Sequence, residues 1–550
     1  MKLEPTEGAT QAPITFEEAA TPAPRRVSRR WLIGGALSAL GGGCASPVNP
    51  LAAESELDTL LAGGALEGDS SALPREGGAG DTQAGLPPQG IDGGVFSPPI
   101  DAVLRLVNRI TFGYSRAEYQ AASAMGYTAY LEQQLNPQTI DDSQMAPRLA
   151  AFDTLSMTSQ QIFDTYRSMS NVPVQQLVLA SIVRQVFSKR QLLERMVEFW
   201  SDHFNIDILD EQCRFLKLAD DRDVIRVHAL GKFPDLLRAS ARSAAMLFYL
   251  DNYINVAGSA QENYAREVCE LHTMGVNGGY TQQDVQEIAR CFTGWGFRGS
   301  ASGQFGTFFF NAAQHDNGPK TVLGVSIPAG GGVNDGEAVI SILASHPSTA
   351  NFIARKLTTL FLGYNPDPAL VARVAQTYAA TNGDIKSMLR VILDRKPITQ
   401  LLTPKLKRPT HYMAGLLRAM SAIVTNPQPL ATRLDRMGQR PFHWPAPNGY
   451  PDSLGAWGSN LLPRWQTAVD LIENRVTGTL IDAFGLFESQ GGTAPGQAGR
   501  TINRLLTGGA LSVAAEAAIQ SVYDAPTGSQ LGRTRDAFGV AASMQGYQWY

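Results

Sequence analysis

Residues 262–285 read ENYAREVCELHTMGVNGGYTQQDV, and the reading of this stretch decides the architecture of the body. Asn263, Glu267 and Glu270 recur at steps of four and three, the spacing of one helical face. Gly275 stands where a glycine ends a helix. Thr281 with Asp284 then opens the next one, QQDVQEIARCFTGW, as an N-terminal cap. Helix, glycine stop, cap and helix predict a helical body.

The same signature extends in both directions. DAVLRLVNRI (101–110), SRAEYQAASAMGYTAYLEQQL (115–135) and the run from Gln175 to Phe204 place apolar residues at three- and four-residue steps. Ser115 and Glu118 have the spacing of a capping box. Downstream, Ser348 is read as the cap of TANFIARKLTTLFLG, and GDIKSMLRVILDRK, KRPTHYMAGLLRAMSAIV and PRWQTAVDLIENRVTG continue the helical pattern. FGTFFFNAAQHDNGPKTVLGVSIP is the exception. Its β-rich runs flank Asn317-Gly318, a turn dipeptide, which predicts a hairpin near 305–327. The expected fold is mainly α, a multi-helix globular body with one small β-hairpin.

The chain has 550 residues, 44% hydrophobic and 17% charged, enough for subdomains around a large buried interior. Its net charge of -4 argues against a general nucleic-acid binder. The acid is concentrated: residues 45–95 hold eight carboxylates against Arg75, while the first 44 residues hold five bases and four acids, so the body is close to neutral. Four segments follow: 1–44 an export signal, 45–97 an acidic tether, 98–485 the helical domain, and 486–550 a Gly-rich break with a C-terminal helical section packed on that domain.

Residues 1–44 read as an address. Arg25, Arg26, Arg29 and Arg30 precede an apolar run, Trp31 to Leu40, too short to span a bilayer of ~30 Å. Ser28-Arg29-Arg30-Trp31-Leu32-Ile33 resembles a twin-arginine signal; an ordinary secretory signal with paired arginines is the other reading. Gly43-Cys44-Ala45-Ser46 resembles a lipoprotein cleavage site, with Gly41 where a large aliphatic residue is expected. The expected location is exported, periplasmic or envelope-anchored, touching membrane only through signal or lipid. Cys213, Cys269 and Cys291 remain, in apolar surroundings that favour free buried thiols over a Cys269–Cys291 pair.

Several motifs in order, LVNRITFGYS, LLERMVEFWSDHFNI, the stretch from Glu262 to Trp295, QHDNGPKTVLG, HPSTANFIARKL, KLKRPTHY and PNGYPDSLGAWGSNLLPRW, resemble a bacterial family known as domain of unknown function 1800. They cover roughly residues 100–480. The resemblance implies an exported bacterial protein and no established activity. It also implies a partner: genes of the family often sit beside one for domain of unknown function 1501, which resembles phosphatase-like and sulfatase-like enzymes. One departure stands out. Trp200-Ser201-Asp202-His203-Phe204 replaces the common Trp-His-Asn-His-Phe, so position 201 is left out of the expected site.

Candidate chemistry centres on six residues. His203, His272, His315 and Asp316 are the expected metal ligands, and Glu267 and Glu270 the expected catalytic carboxylates. Nitrogen and carboxylate donors suit a divalent metal, Zn, Fe or Mn, able to activate water. Without metal, Glu267 or Glu270 with His272 would form an acid–base pair. On an ideal helix His272 lies about 200° from Glu270, so a shared site requires local unwinding. The opposing reading is structural: Arg195, Arg226, Arg266 and Arg290 lie in neighbouring motifs and would pair buried carboxylates. Trp295, Trp444, Tyr450 and Trp457 are candidates for a sugar-stacking surface, against which stands a plug between helices. His346 and His411 read as capping or packing residues. Two functions follow: a metal-assisted hydrolase of an envelope or extracellular polymer, whose site residues meet in an open cleft, or a non-catalytic envelope scaffold, whose same residues are buried and matched.

Overall fold

The computed structural model describes residues 101–550. The export signal with Arg29 and Arg30, Cys44, and the acidic tether lie outside the described residues. Within them the fold is mainly α, with three two-stranded antiparallel sheets. No described helix is long and apolar enough to cross a membrane.

Local chemistry sets many helix boundaries. Thr158 with Gln161 and Thr281 with Asp284 form reciprocal capping boxes, and Asp367, Asp384, Ser512 and Ser529 cap with their side chains. Ser115 accepts from the Glu118 amide, but the Glu118 carboxylate turns away to Tyr130 and Arg418, so only half of that expected box forms. The Pro347–Leu362 helix is capped by the His346 ring rather than by Ser348, whose hydroxyl donates to the Gly278 carbonyl at 2.9 Å.

The 305–327 region differs from the single hairpin expected. Its two runs do not pair with each other. Phe308–Phe310 (β2) pairs back with Trp295–Phe297 (β1), at the end of the preceding helix. Lys320–Val322 (β3) pairs with Val325–Ile327 (β4) across Leu323-Gly324. Asn317-Gly318 instead belongs to the loop that carries His315 and Asp316. A third small sheet joins Ile423–Val424 (β5) to Thr479–Leu480 (β6).

Two large apolar cores organise the described chain. One gathers residues from Ala102 to Ile398, and the other unites residues between Leu104 and Val186 with those from Tyr412 to Tyr547. The Asn171–Phe187 helix serves both: Val174 and Leu177 enter the first, Val178, Ile182 and Val186 the second. A small aromatic cluster of Tyr450, Trp457 and Trp549, with Leu406, stands apart from both. Backbone bonds between Lys405 and Tyr550, and between Lys407 and Gln548, tie residues 548–550 to the segment that joins the two cores. Cys213, Cys269 and Cys291 are free and buried.

Candidate functional site

The helix quoted at the outset begins as an α-helix, Glu262–Glu267, and widens to π geometry over Val268–Thr273. It stops at Gly275, whose φ is +78°. A Cβ there would stand 2.9 Å from the Phe352 ring, so the glycine both ends the helix and lets the Pro347–Leu362 helix approach. That approach brings Lys356 to the imidazoles. His203 and His272 lie with ring centroids 6.1 Å apart. His203 Nε2 contacts the His272 carbonyl at 3.0 Å, and Lys356 Nζ donates to His203 Nδ1 at 2.8 Å. This geometry places the imidazole hydrogen on Nε2. Burial, then Lys356 and His272, hold His203 well below the usual histidine range. Burial and Lys356 push His272 down to about 3.

Glu267 and Glu270 belong to the other side of this helix. Their influences are on each other, on Tyr280 and Cys269, and from Arg266, not on His272. Arg266 pairs with Glu262 at 2.9 Å and leaves Glu270 alone. Neither Glu267 nor Glu270 has a hydrogen-bond or ion-pair partner among the described residues. Burial and the neighbouring Glu270 push Glu267 up to about 7.

His315 and Asp316 form a third, separate group. His315 is buried, with Nδ1 on the Thr293 carbonyl at 2.8 Å and Nε2 on Asp335 at 3.1 Å, and Asp335 also binds Lys320 at 2.6 Å. Arg290 grips Asp316 with Nε at 2.8 Å and Nη2 at 3.2 Å, holding its carboxyl down at about 2. The six candidates are thus divided among three places. Among the described residues no group of three or more His, Cys, Asp or Glu is placed to hold a metal ion. His203 and His272 do come together, yet the neighbour supplied to His203 is an ammonium group, which repels a metal cation.

The aromatic candidates also separate. Trp295 is buried in the first core between Phe292 and Phe308. Trp444, Tyr450 and Trp457 form a series at 5.1 and 6.1 Å. Their polar atoms are engaged within their own loop, on Asn448, the Arg440 carbonyl and the Pro451 carbonyl. The Arg408 guanidinium lies 6.0 Å from both the Tyr450 and Trp457 rings.

Beneath that loop lies a part-buried ionic layer, of whose members the sequence reading singled out only Arg195, as a partner for carboxylates. Arg408 binds Asp202 at 2.6 Å, Lys405 binds Asp452 at 2.5 Å, and Arg195 binds Glu198 at 2.8 Å. Arg109 donates to the Thr403 and Tyr550 carbonyls, each at 2.6 Å. Burial pushes Asp202 up to about 6, against the pull of Arg408. Burial lowers Lys356 to about 8 and Lys407 to about 7. For Asp452 burial acts upward, but Lys405 and Arg408 outweigh it and hold the carboxyl below its ordinary value. These residues come from LVNRITFGYS, ERMVEFWSDHF, FIARKL, KLKRP and PNGYPDS, the segments that carried the resemblance. The signal was present as lysine within the apolar run FIARKLTTLFL and as the basic run Lys405-Leu406-Lys407-Arg408.

A mainly helical globular protein with a part-buried ionic layer under an aromatic loop is the class this geometry defines. Residues 105–549 match the profile described as Protein of unknown function (DUF1800), and the chain belongs to that family. No curated protein and no solved structure matches the chain.

Proposed function

We propose that this is an exported envelope protein that acts by binding, as the partner of an exported phosphatase- or sulfatase-like protein of the domain of unknown function 1501 family. The observation that supports a binding role over a metal-assisted hydrolase is the state of the expected ligands. His203 sits between a lysine and a backbone carbonyl, His315 between a carbonyl and Asp335, and Asp316 in the fork of Arg290. Buried groups so matched serve the fold. Export rests on the Arg29-Arg30 segment and its apolar run, and the partner on the family resemblance.

The test mixes the purified chain with such a partner encoded beside it and follows sedimentation. A complex supports the reading; two independent species at micromolar concentration overturn the partnership. Elemental mass spectrometry of wild type and His272→Ala addresses the hydrolase. Near-stoichiometric metal in the wild type, lost in the variant, would overturn the non-catalytic half.

One observation favours a second reading, a metal-free acid–base hydrolase of an envelope or extracellular polymer. Glu267 and Glu270 are adjacent and unpartnered, and Glu267 titrates near 7, where a general acid–base works best. Under this reading polymer hydrolysis by the wild type falls at least 100-fold in Glu267→Gln, in line with ~10²–10⁴ for general acid–base groups. Equal rates in the two proteins sink it.

A further inference from the structure

Three helix ends meet at one edge of the second core. The Asn171–Phe187 helix stops there, the Pro409–Ala419 helix stops there, and Ser115 caps the start of the Arg116–Met125 helix. The turn after Ala419 decides what stays open. Ser421 stands at φ +49°, in the left-handed position that glycine commonly takes past a helix end, and the Ala422 amide returns to the Leu417 carbonyl at 2.9 Å. The chain then turns outward, and Ile423 is 58% exposed. The three ends enclose a cavity of about 320 Å³, within the ~300–1,000 Å³ of small-molecule sites. At ~30 Å³ per water it has room for on the order of ten waters.

Its walls are mostly apolar. Val186, Leu417 and Ala422 come from the second core, and Phe187 and Ile423 complete the lining. No carboxylate lines it among the described residues.

Two arginines line the cavity, and they differ. Arg418 is buried and already paired: Nε donates to the Gly113 carbonyl at 3.3 Å, Nη1 to the Val186 carbonyl at 3.1 Å, and Nη2 to Glu118. The other Glu118 oxygen accepts from the Tyr130 hydroxyl at 2.6 Å, so that carboxylate is engaged on both sides. Arg148, in the last turn of the short Met145–Leu149 helix, is exposed and has neither a hydrogen bond nor an ion pair among the described residues. Its guanidinium carbon lies 4.0 Å from the centroid of the Phe187 ring, which backs the cation and leaves its N–H edge unused. The Ser115 hydroxyl accepts from the Glu118 amide at 3.3 Å and keeps its hydrogen to give. One uncompensated positive charge therefore stands beside an apolar space of small-molecule size.

We infer that this cavity binds a small monocarboxylate with an apolar body, its carboxylate held by Arg148 and its body lying against Val186, Leu417 and Ala422. The planar guanidinium fork matches a carboxylate through two parallel bonds. A cation meets Arg148 with no carboxylate in the lining to offset it. An inorganic dianion meets one free guanidinium and gains nothing from apolar walls. A neutral apolar molecule gains the walls and lacks the ionic bond. The inference stands apart from the proposed partnership.

Saturation-transfer NMR titrations on the full chain test it, with phenylacetate and octanoate as probes up to about 10 mM, enough to fill a site of millimolar Kd. Phenylacetamide is the neutral counterpart, 2-phenylethylamine the cationic one, and inorganic phosphate the competitor without an apolar body. Binding of at least one carboxylate is expected, about tenfold or more weaker in Arg148→Gln, the loss of a charge-assisted bond. The melting temperature of that variant should be unchanged, because the side chain is exposed. Hydrogen exchange of the wild type gives a readout that needs no variant: the bound carboxylate slows exchange of the 417–424 amides. No binding of either carboxylate, equal Kd in a folded Arg148→Gln, equal or tighter binding of the amide or the amine, displacement by equimolar phosphate, or unaltered exchange in that segment each overturns the proposal.

Discussion

At the scale of single residues, Lys407 is a liability. It is buried, lies 3.7 Å from the centroid of the Tyr547 ring, and has no carboxylate partner among the described residues. Burial, followed by Arg464, lowers it from 10.5 to about 7. The unfolded chain therefore binds a proton that the folded chain releases between about pH 7 and 10.5, and stability rises with pH across that window. Below pH 7 the penalty is complete. Lys407→Met is expected to raise stability near pH 6 by on the order of 1–2 kcal/mol and to have little effect near pH 10.5. Urea unfolding at the two pH values measures this; a variant less stable than wild type at pH 6 would contradict it. Individual roles of this kind were partly legible in the sequence. His203 and the Lys405–Arg408 run were visible as motif members, but their burial was not. Arg408 and Asp202 are 206 positions apart, and no local pattern pairs them.

At the scale of elements, Gly275 joins two helices by its absence of a side chain. Gly275→Ala is expected to cost on the order of 1–3 kcal/mol, because an alanine would be strained at that φ and its Cβ would meet Phe352. Thermal melting checks the loss, and an unchanged melting temperature would show that the contact yields freely. The helix stop here and the Thr281–Asp284 cap were readable because their causes lie within a few residues. The widening over Val268–Thr273 was not, since no residue type specifies it. Nor was the strand pairing. Phe308–Phe310 chooses Trp295–Phe297 over the nearer Lys320–Val322, a choice set by how Trp295 packs between Phe292 and Phe308 in the first core. Asn317-Gly318 was a true loop signal attached to the wrong strands.

Across the whole molecule, the ionic layer lies where the segment joining the two cores meets the Gln191–His203 helix. Arg408→Ala leaves the part-buried Asp202 without its counter-charge and is expected to cost about 1–3 kcal/mol. Arg408→Met with Asp202→Leu removes both charges and should lose much less. Chemical denaturation of the two singles and the double gives the coupling, and strictly additive losses would mean that the pair does not act as a unit. The helical class followed from periodicity and composition. The layer did not, because charge balance in an interior depends on contacts that only the folded chain makes. Arg109 shows what that implies for time rather than space. Its two acceptors lie 294 and 441 positions downstream, at Thr403 and Tyr550. Loops of that length close late and slowly. During synthesis the first core has its apolar residues in hand by Ile398, while this guanidinium still waits for the Thr403 and Tyr550 carbonyls. A nascent chain thus holds one large domain-like nucleus next to a seam that stays open until Thr403 and Tyr550 have been made.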